Sequence, residues 1–284
     1  SIYLRTNGDP VNASIECYKS IKSQVGDKKI TINGLGVTGS GRQIAGLHAL
    51  TDNIINEIIA HATAATHFDK DVDTIFEIGG QDAKYTYLTS GVPSDYAMNE
   101  ACSAGTGSFL EESARESLNI ATEMIGSLAL EGYNPPNFTD QCSAFISSDI
   151  KIAAQEGVSK NDILGGLVYS IGLNYLNRVK GSRPVGKKIF MQGGVCYNKA
   201  VPVAIASLMN TSIIVPPDPG LTGAYGVALE VENRIKLGIS NACEFNLDEL
   251  INRDAIRESA FTCQGGKEKC DRKCQISRIR IEGK

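Results

Sequence analysis

The chain has 284 residues, 42% apolar and 21% charged, a balance that supports a sizeable buried core and excludes disordered and fibrous classes. Its formal net charge of −4, with no concentrated run of Lys or Arg, supplies no field for a nucleic-acid backbone. No stretch reaches the roughly 18 uninterrupted apolar residues of a membrane span, and the N-terminus reads as neither a signal nor a transit peptide, so a cytoplasmic protein is expected.

In chain order, Ser1 to Arg5 reads as a strand that starts without a lead-in, as though cut from something longer. A strand follows from Lys29 to Leu35, a helix from Thr51 to His67 and a strand from Asp73 to Ile78. Between the first two lies Gly36-Val-Thr-Gly39-Ser-Gly41-Arg42, a structural turn with a solvated Arg42 or a face for phosphate or a partner's carboxylates. Turns at Gly79-Gly80 and Ser90-Gly91 divide residues 73–98 into three extended stretches, an antiparallel meander. After Asn99 the pattern turns helical: Thr106 to Leu118, Ala121 to Glu131, Ser143 to Glu156 and Asn161 to Val179. A strand from Lys187 to Met191 precedes helices from Lys199 to Met209 and Thr222 to Leu237, and the tail from Gly238 has no clear period. The alternation predicts an α/β class with a mixed sheet. The expected division is a first lobe over 1–97, a more helical lobe over 98–223, and a return helix plus cysteine-bearing tail over 224–284.

Two glycine turns point to a phosphate. Phe76-Glu77-Ile78-Gly79-Gly80-Gln81-Asp82 sets two glycines directly after an apolar strand, so backbone N–H groups can approach an anion with no Cβ between. Gln81 could orient an attacking water and Asp82 hold a hydrated Mg²⁺, although a lone Gly-Gly pair is more often an ordinary hairpin turn. The arrangement recurs at Ile189-Phe190-Met191-Gln192-Gly193-Gly194-Val195, and the pair together favours a nucleotide. Neither turn matches GxxxxGK[ST] or GxGxxG.

The eight cysteines fit metal or redox chemistry better than a disulfide framework. Cys102, in Asn99-Glu-Ala-Cys102-Ser-Ala-Gly105-Thr-Gly107, and Cys142, in Thr139-Asp-Gln-Cys142-Ser-Ala-Phe, both precede expected helices. The partial positive charge there favours a thiolate. A [4Fe–4S] cubane takes four such ligands, so two chains about a two-fold axis complete the count, against the plain alternative of two small buried hydrophobes. His48, His61 and His67 read as surface or core histidines.

The ordered motifs IGGQDAK, NEACSAGTGSFLE, CSAFISSDI, GGVCYNKAV and VPPDPGLTGAYGVAL resemble those of the ATP-dependent activators of 2-hydroxyacyl-CoA dehydratases and the ATPase subunits of benzoyl-CoA reductases, over about residues 1–237. The resemblance implies a two-lobed acetate/sugar kinase–actin-like (ribonuclease H-like) α/β fold binding ATP or ADP with Mg. It also implies a homodimer with one [4Fe–4S] cluster on Cys102 and Cys142, an electron donor such as ferredoxin or flavodoxin, and a single low-potential electron passed to the dehydratase or reductase component. By the same resemblance Gly79, Gly80, Gln81 and Asp82 form the second phosphate loop, Gly193 and Gly194 the adenosine loop, and Pro217 and Gly223 the adenine side. Such proteins open with a GIDxGST phosphate loop, which would lie ahead of Ser1, so ATP hydrolysis is expected to suffer here. Glu77 stands where an Asp is common, lengthening the reach to a metal. Cys243, Cys263, Cys270 and Cys274 resemble the segment after the activase domain of longer relatives; a second cluster completed by further residues is one reading, their spacing fits no common zinc pattern, and they have no assigned role. A sugar kinase of the same superfamily, or a non-catalytic module of a larger protein, are the rival readings.

Overall fold

The computed structural model describes residues 1–99, 105–140 and 143–282. Contacts divide the chain into two compact units, Ser1–Ile55 with Glu230–Lys284, and Asn56–Leu229.

In the first unit, the Asp9 side chain accepts from the Asn12 N–H and Pro10 takes the first helical position, starting α1 (Pro10–Val25). Helix α2 (Arg42–Ala49) follows. The strands expected at Ser1–Arg5 and Lys29–Leu35 do not form. Tyr3 and Leu4 are exposed, and the second stretch makes only an isolated bridge, Ile32 with Phe245, so its β-branched residues have no ladder to join.

The second unit opens with α3 (Glu57–Phe68), capped by the Asn56 side chain accepting from the Ile58 N–H at 2.8 Å. The helix expected from Thr51 starts later because the Thr51 hydroxyl is committed to a turn, donating to the Leu35 carbonyl at 2.6 Å and accepting from the Asn53 N–H. Next come β1 (Thr74–Ile78), β2 (Ala83–Thr89) and β3 (Val92–Met98), joined as the expected antiparallel meander. Ser90 and Gly91 both have positive φ, the geometry that a two-residue hairpin turn requires. Helices α4 (Gly107–Leu118), α5 (Thr122–Leu130), α6 (Ser143–Gln155) and α7 (Lys160–Asn174) follow, the last continuing as a π-helical segment, Tyr175–Lys180. Strand β4 (Ile189–Gln192), helix α8 (Ala200–Met209) and strand β5 (Ile213–Ile214) complete a sheet of order β3-β2-β1-β4-β5, with β4 parallel to both β1 and β5.

Strand β1 is buried along its whole length, which is why TIFEI is a nearly continuous apolar run. Phe76 and Ile78 pack with Phe109 of α4, Ile146 of α6 and Leu167 of α7. Ile75 belongs to a second cluster with Ala62 and Ala65 of α3. The register of β4 on β1 is fixed at its start, where the Asp73 carboxylate accepts from the Lys187 N–H at 2.7 Å and the Thr74 hydroxyl from the Gly186 N–H at 2.9 Å. The lobe boundary expected near residue 97 falls inside this unit, because β3 shares one sheet with β4 and β5.

Helix α9 (Thr222–Lys236) leads to a tail that does have structure: α10 (Leu247–Asn252), then β6 (Ala255–Thr262) paired antiparallel with β7 (Gln275–Ile281).

Gly193 decides how closely β4's exit approaches β1. Its φ is +96°, and a Cβ there would lie 2.2 Å from the Ile78 carbonyl oxygen, whereas a Cβ on Gly80 meets nothing within 4 Å. Gly193→Ala is therefore expected to lower unfolding free energy by roughly 3 kcal/mol or more and Gly80→Ala by no more than about 1 kcal/mol, as read by urea denaturation.

Candidate functional site

Strands β1 and β4 run parallel in the register Glu77 opposite Gln192, so their glycine turns leave the sheet at the same edge. Ligands of parallel α/β sheets bind beyond that carboxyl edge. The Gly79 N–H closes the first turn on the Asp82 carbonyl at 2.8 Å. Helix α4 is tied to this turn directly: the Gly107 N–H donates to the Gly79 carbonyl at 2.9 Å and the Ser108 N–H to the Gly80 carbonyl at 2.8 Å. The Ser108 hydroxyl also donates to the Gly80 carbonyl at 2.6 Å and accepts from Gln81 Nε2 at 2.7 Å. The turn and the first residues of α4 therefore form one hydrogen-bonded piece, with Gly80 and Gln81 exposed on it.

The second turn lies alongside. Buried Gly193 donates its N–H to the Pro219 carbonyl at 2.9 Å, and half-buried Gly194 begins a 3-10 turn, Gly194–Tyr197. Exposed Pro217 precedes another 3-10 turn, Pro219–Leu221, and half-buried Gly223 follows it in the first turn of α9. A Cβ on Gly107 would lie 2.8 Å from the Val195 side chain and 3.3 Å from the Gly79 carbonyl oxygen, so both glycine turns meet the start of α4.

Beneath the first turn sits a charge cluster. The Lys84 ammonium, 4% exposed, lies 2.9 Å from Glu77, 3.6 Å from Glu57 and 4.0 Å from Asp82. Burial alone would lower the Lys84 pKa, but the carboxylates, Glu77 foremost, hold it above the ordinary lysine value. Glu77 thus answers Lys84. Among the described residues Lys84 is shared by three carboxylates, and Asp82 is 37% exposed at the edge, where it could help hold a hydrated divalent cation. Among the described residues no three His, Cys, Asp or Glu side chains converge on a metal, so such an ion would keep waters or phosphate oxygens as ligands.

Under the second turn, His61 Nδ1 stands 2.6 Å from Gln192 Oε1 and 3.3 Å from the Thr222 hydroxyl, which donates to the Pro219 carbonyl at 2.9 Å. With its oxygen engaged by His61, Gln192 presents a fully buried Nε2 that has no partner among the described residues. Such a donor fits an acceptor on a bound ligand or a water. Cys196 is structural: its thiol donates to the Gln192 carbonyl at 3.3 Å, and burial followed by nearby Glu77 pushes its pKa up.

The expectations on Cys102 and Cys142 lie outside the described residues. Their flanks are anchored to one element. A Cβ on Gly105 would lie 3.2 Å from the Tyr175 backbone nitrogen, while Arg178 donates to the Asp140 carbonyl at 2.7 Å and Asn177 to the Asp140 carboxylate at 3.4 Å. Tyr175 and Arg178 are within about one helical turn of each other, in a π-helical segment of the sort frequent at functional sites. The Tyr175 hydroxyl also donates to the Lys84 carbonyl at 2.8 Å.

The sequence model of the BadF/BadG/BcrA/BcrD ATPase family matches residues 6–231. The chain belongs to this ATPase family. It is 34% identical over 194 residues to the 2-hydroxyisocaproyl-CoA dehydratase activator of Clostridioides difficile, covering 68% of this chain and 71% of that protein. It is 34% identical over 210 residues to the activator of lactoyl-CoA dehydratase of Anaerotignum propionicum, covering 72% and 77%. Among solved structures it is similar to the activator of the 2-hydroxyisocaproyl-CoA dehydratase from Clostridium difficile with bound ADPNP, with a TM-score of 0.70 at 30% identity over 83% of this chain and 84% of that one. The fold is the acetate/sugar kinase–actin-like α/β class expected for the family.

Sequence reasoning found the glycine turns and missed the polar groups beneath them. The signal for one was present, since Lys84 in A-K-Y-T-Y-L-T is a charge in a buried strand and demands a carboxylate. Arg42 donates to the Gly39 carbonyl at 2.9 Å, closing its own turn.

Lys84→Met would leave Glu77 buried without its cation and is expected to cost about 3–5 kcal/mol, with Glu77→Gln in the same chain restoring part of the loss. Because the Lys84 pKa is raised on folding, its contribution is complete below the unfolded lysine pKa of about 10.4 and fades as pH rises through the folded value. The stability gap between wild type and Lys84→Met should therefore narrow in urea titrations run at increasing alkaline pH.

Proposed function

We propose that this chain is an ATP-dependent activator that passes one low-potential electron to a partner enzyme of the 2-hydroxyacyl-CoA dehydratase or benzoyl-CoA reductase kind. The observation that carries the reading is the hydrogen-bonded unit of the Gly79–Asp82 turn with Gly107 and Ser108 of α4, because Cys102 precedes that helix by five residues. A nucleotide felt by the turn is felt by the backbone leading to the cysteine.

In this reading Gly79 and Gly80 approach the phosphates, Gln81 orients the attacking water, and Asp82 holds hydrated Mg²⁺ at the rim of the Lys84 cluster. Gly193 and Gly194 face the adenosine, Gln192 Nε2 donates to the bound ligand, and Pro217 and Gly223 border the adenine. The solved relative bound to ADPNP supports a nucleotide in this fold. Cys102 and Cys142 from each of two copies supply four thiolates to one [4Fe–4S] cluster, and the attachment of Gly105 and Asp140 to one helical segment supports a common location. When bound, the cluster carries the single electron, received from a donor of the ferredoxin or flavodoxin kind.

With Cys263, Cys270 and Cys274 replaced by Ser so that the tail thiols do not contribute, anaerobic reconstitution with iron and sulfide is expected to yield a cubane absorbance at one cluster per two chains, abolished by Cys102→Ser and by Cys142→Ser. Gln81→Ala is expected to lower ATP turnover roughly 10²-fold, the scale of losing one positioned catalytic group, with nucleotide still bound. A cluster that persists in both serine variants, or turnover untouched by Gln81→Ala, contradicts the reading.

A further inference from the structure

The connection between β6 and β7 carries three of the chain's eight cysteines in twelve residues, Cys263-Gln-Gly-Gly-Lys-Glu-Lys-Cys270-Asp-Arg-Lys-Cys274. All three thiols are free, with Cys270 and Cys274 exposed. Cys263 donates its N–H to the Cys274 carbonyl at 2.8 Å, extending the register of Thr262 opposite Gln275 by one pair. Directly opposed residues hold their Cβ atoms about 4.5–5.5 Å apart, a separation two thiolates on one metal can span.

The loop is folded back onto this pair. Gly265 donates its N–H to the Cys263 sulfur at 3.4 Å, a contact that stabilises negative charge on that atom. Cys270 donates to the Gly265 carbonyl at 3.2 Å, and a Cβ on Gly265, whose φ is +84°, would lie 2.1 Å from the Cys270 carbonyl oxygen. Lys269 and Lys273, each immediately before a cysteine, hold the left-handed backbone that non-glycine residues avoid. Strain of this sort persists where a site over-determines the chain. Four cationic residues, Lys267, Lys269, Arg272 and Lys273, against Glu268 and Asp271 leave excess positive charge to balance clustered thiolates.

We propose that Cys263, Cys270 and Cys274 form a thiolate-ligated metal site, separate from Cys102 and Cys142, for a thiophilic centre, either a zinc ion or an iron–sulfur cluster. Thiolates select these metals, and three ligands leave one coordination position open to solvent or a partner. Among the described residues no three ligating side chains already converge on one point, so metal uptake turns the exposed Cys270 and Cys274 side chains inward. Such coupling of loop order to metal is usual in small thiolate sites, and it would rigidify the hairpin.

The test is metal content per chain, by elemental analysis after anaerobic loading with zinc or with iron and sulfide. Three proteins are compared: wild type, Cys102→Ser/Cys142→Ser, and the quintuple variant that adds Cys263→Ser/Cys270→Ser/Cys274→Ser to that pair. The expected result is about one equivalent of zinc, or an iron–sulfur centre, retained in the double variant and lost from the quintuple variant, with cobalt giving thiolate charge-transfer absorption in the double variant but not in the quintuple variant. Which metal is retained distinguishes the two centres. Equal metal in the double and quintuple variants overturns the site, as does a double variant that takes up no metal under reducing conditions. The double variant lacks the proposed subunit-bridging ligands, so this outcome is read independently of the proposed function.

Discussion

The site depends on one close approach: the backbone of Gly193 against Ile78, which lets two parallel strands deliver their glycine turns to the same place. A side chain at Gly193 would push β4's exit away from β1, and the second turn would no longer lie beside the first. Gln192 and Glu77 are register partners just before the two turns, and each is engaged from a neighbouring element, by His61 and Lys84 respectively.

The Lys84 cluster explains how an inward-facing charge is tolerated in a strand buried on both faces. Glu77 neutralises it at hydrogen-bonding distance, and Glu57 at the start of α3 and Asp82 at the end of the glycine turn extend the carboxylate field toward the surface. This arrangement links sheet stability to the electrostatics of the turn. The backbone of Lys84 in turn receives the Tyr175 hydroxyl, from the same π-helical segment that holds the flanks of both cysteines. A continuous chain of contacts therefore runs from the Gly79–Asp82 turn to Gly105 by two routes, one through α4 and one through Tyr175, and the second route reaches Asp140 through Arg178.

Local patterns made much of this legible. The fully apolar run of β1, the Ser90-Gly91 hairpin and the strand-then-glycine signature at both turns each carry their cause within a few residues. What could not be read depended on distant partners. Lys84 and Glu57 are separated by a helix and a strand, and Gln192 meets His61 across more than a hundred residues. The run from Lys29 to Leu35 has strand composition yet gains only one bridge, because composition proposes a strand and a neighbour makes it. The β6–β7 hairpin escaped notice because its strands mix charged and apolar residues, and much of its cross-strand pairing is polar, such as Arg280 with Glu258 at 2.8 Å.

In the proposed function, binding of nucleotide at the paired glycine turns is transmitted into the start of α4. Hydrogen–deuterium exchange with and without the ATP analogue ADPNP measures this directly. New protection is expected at residues 79–82 and 192–196, together with a change at 105–110. Protection confined to segments outside both turns, or protection of the turns with no change at the start of α4, would contradict it.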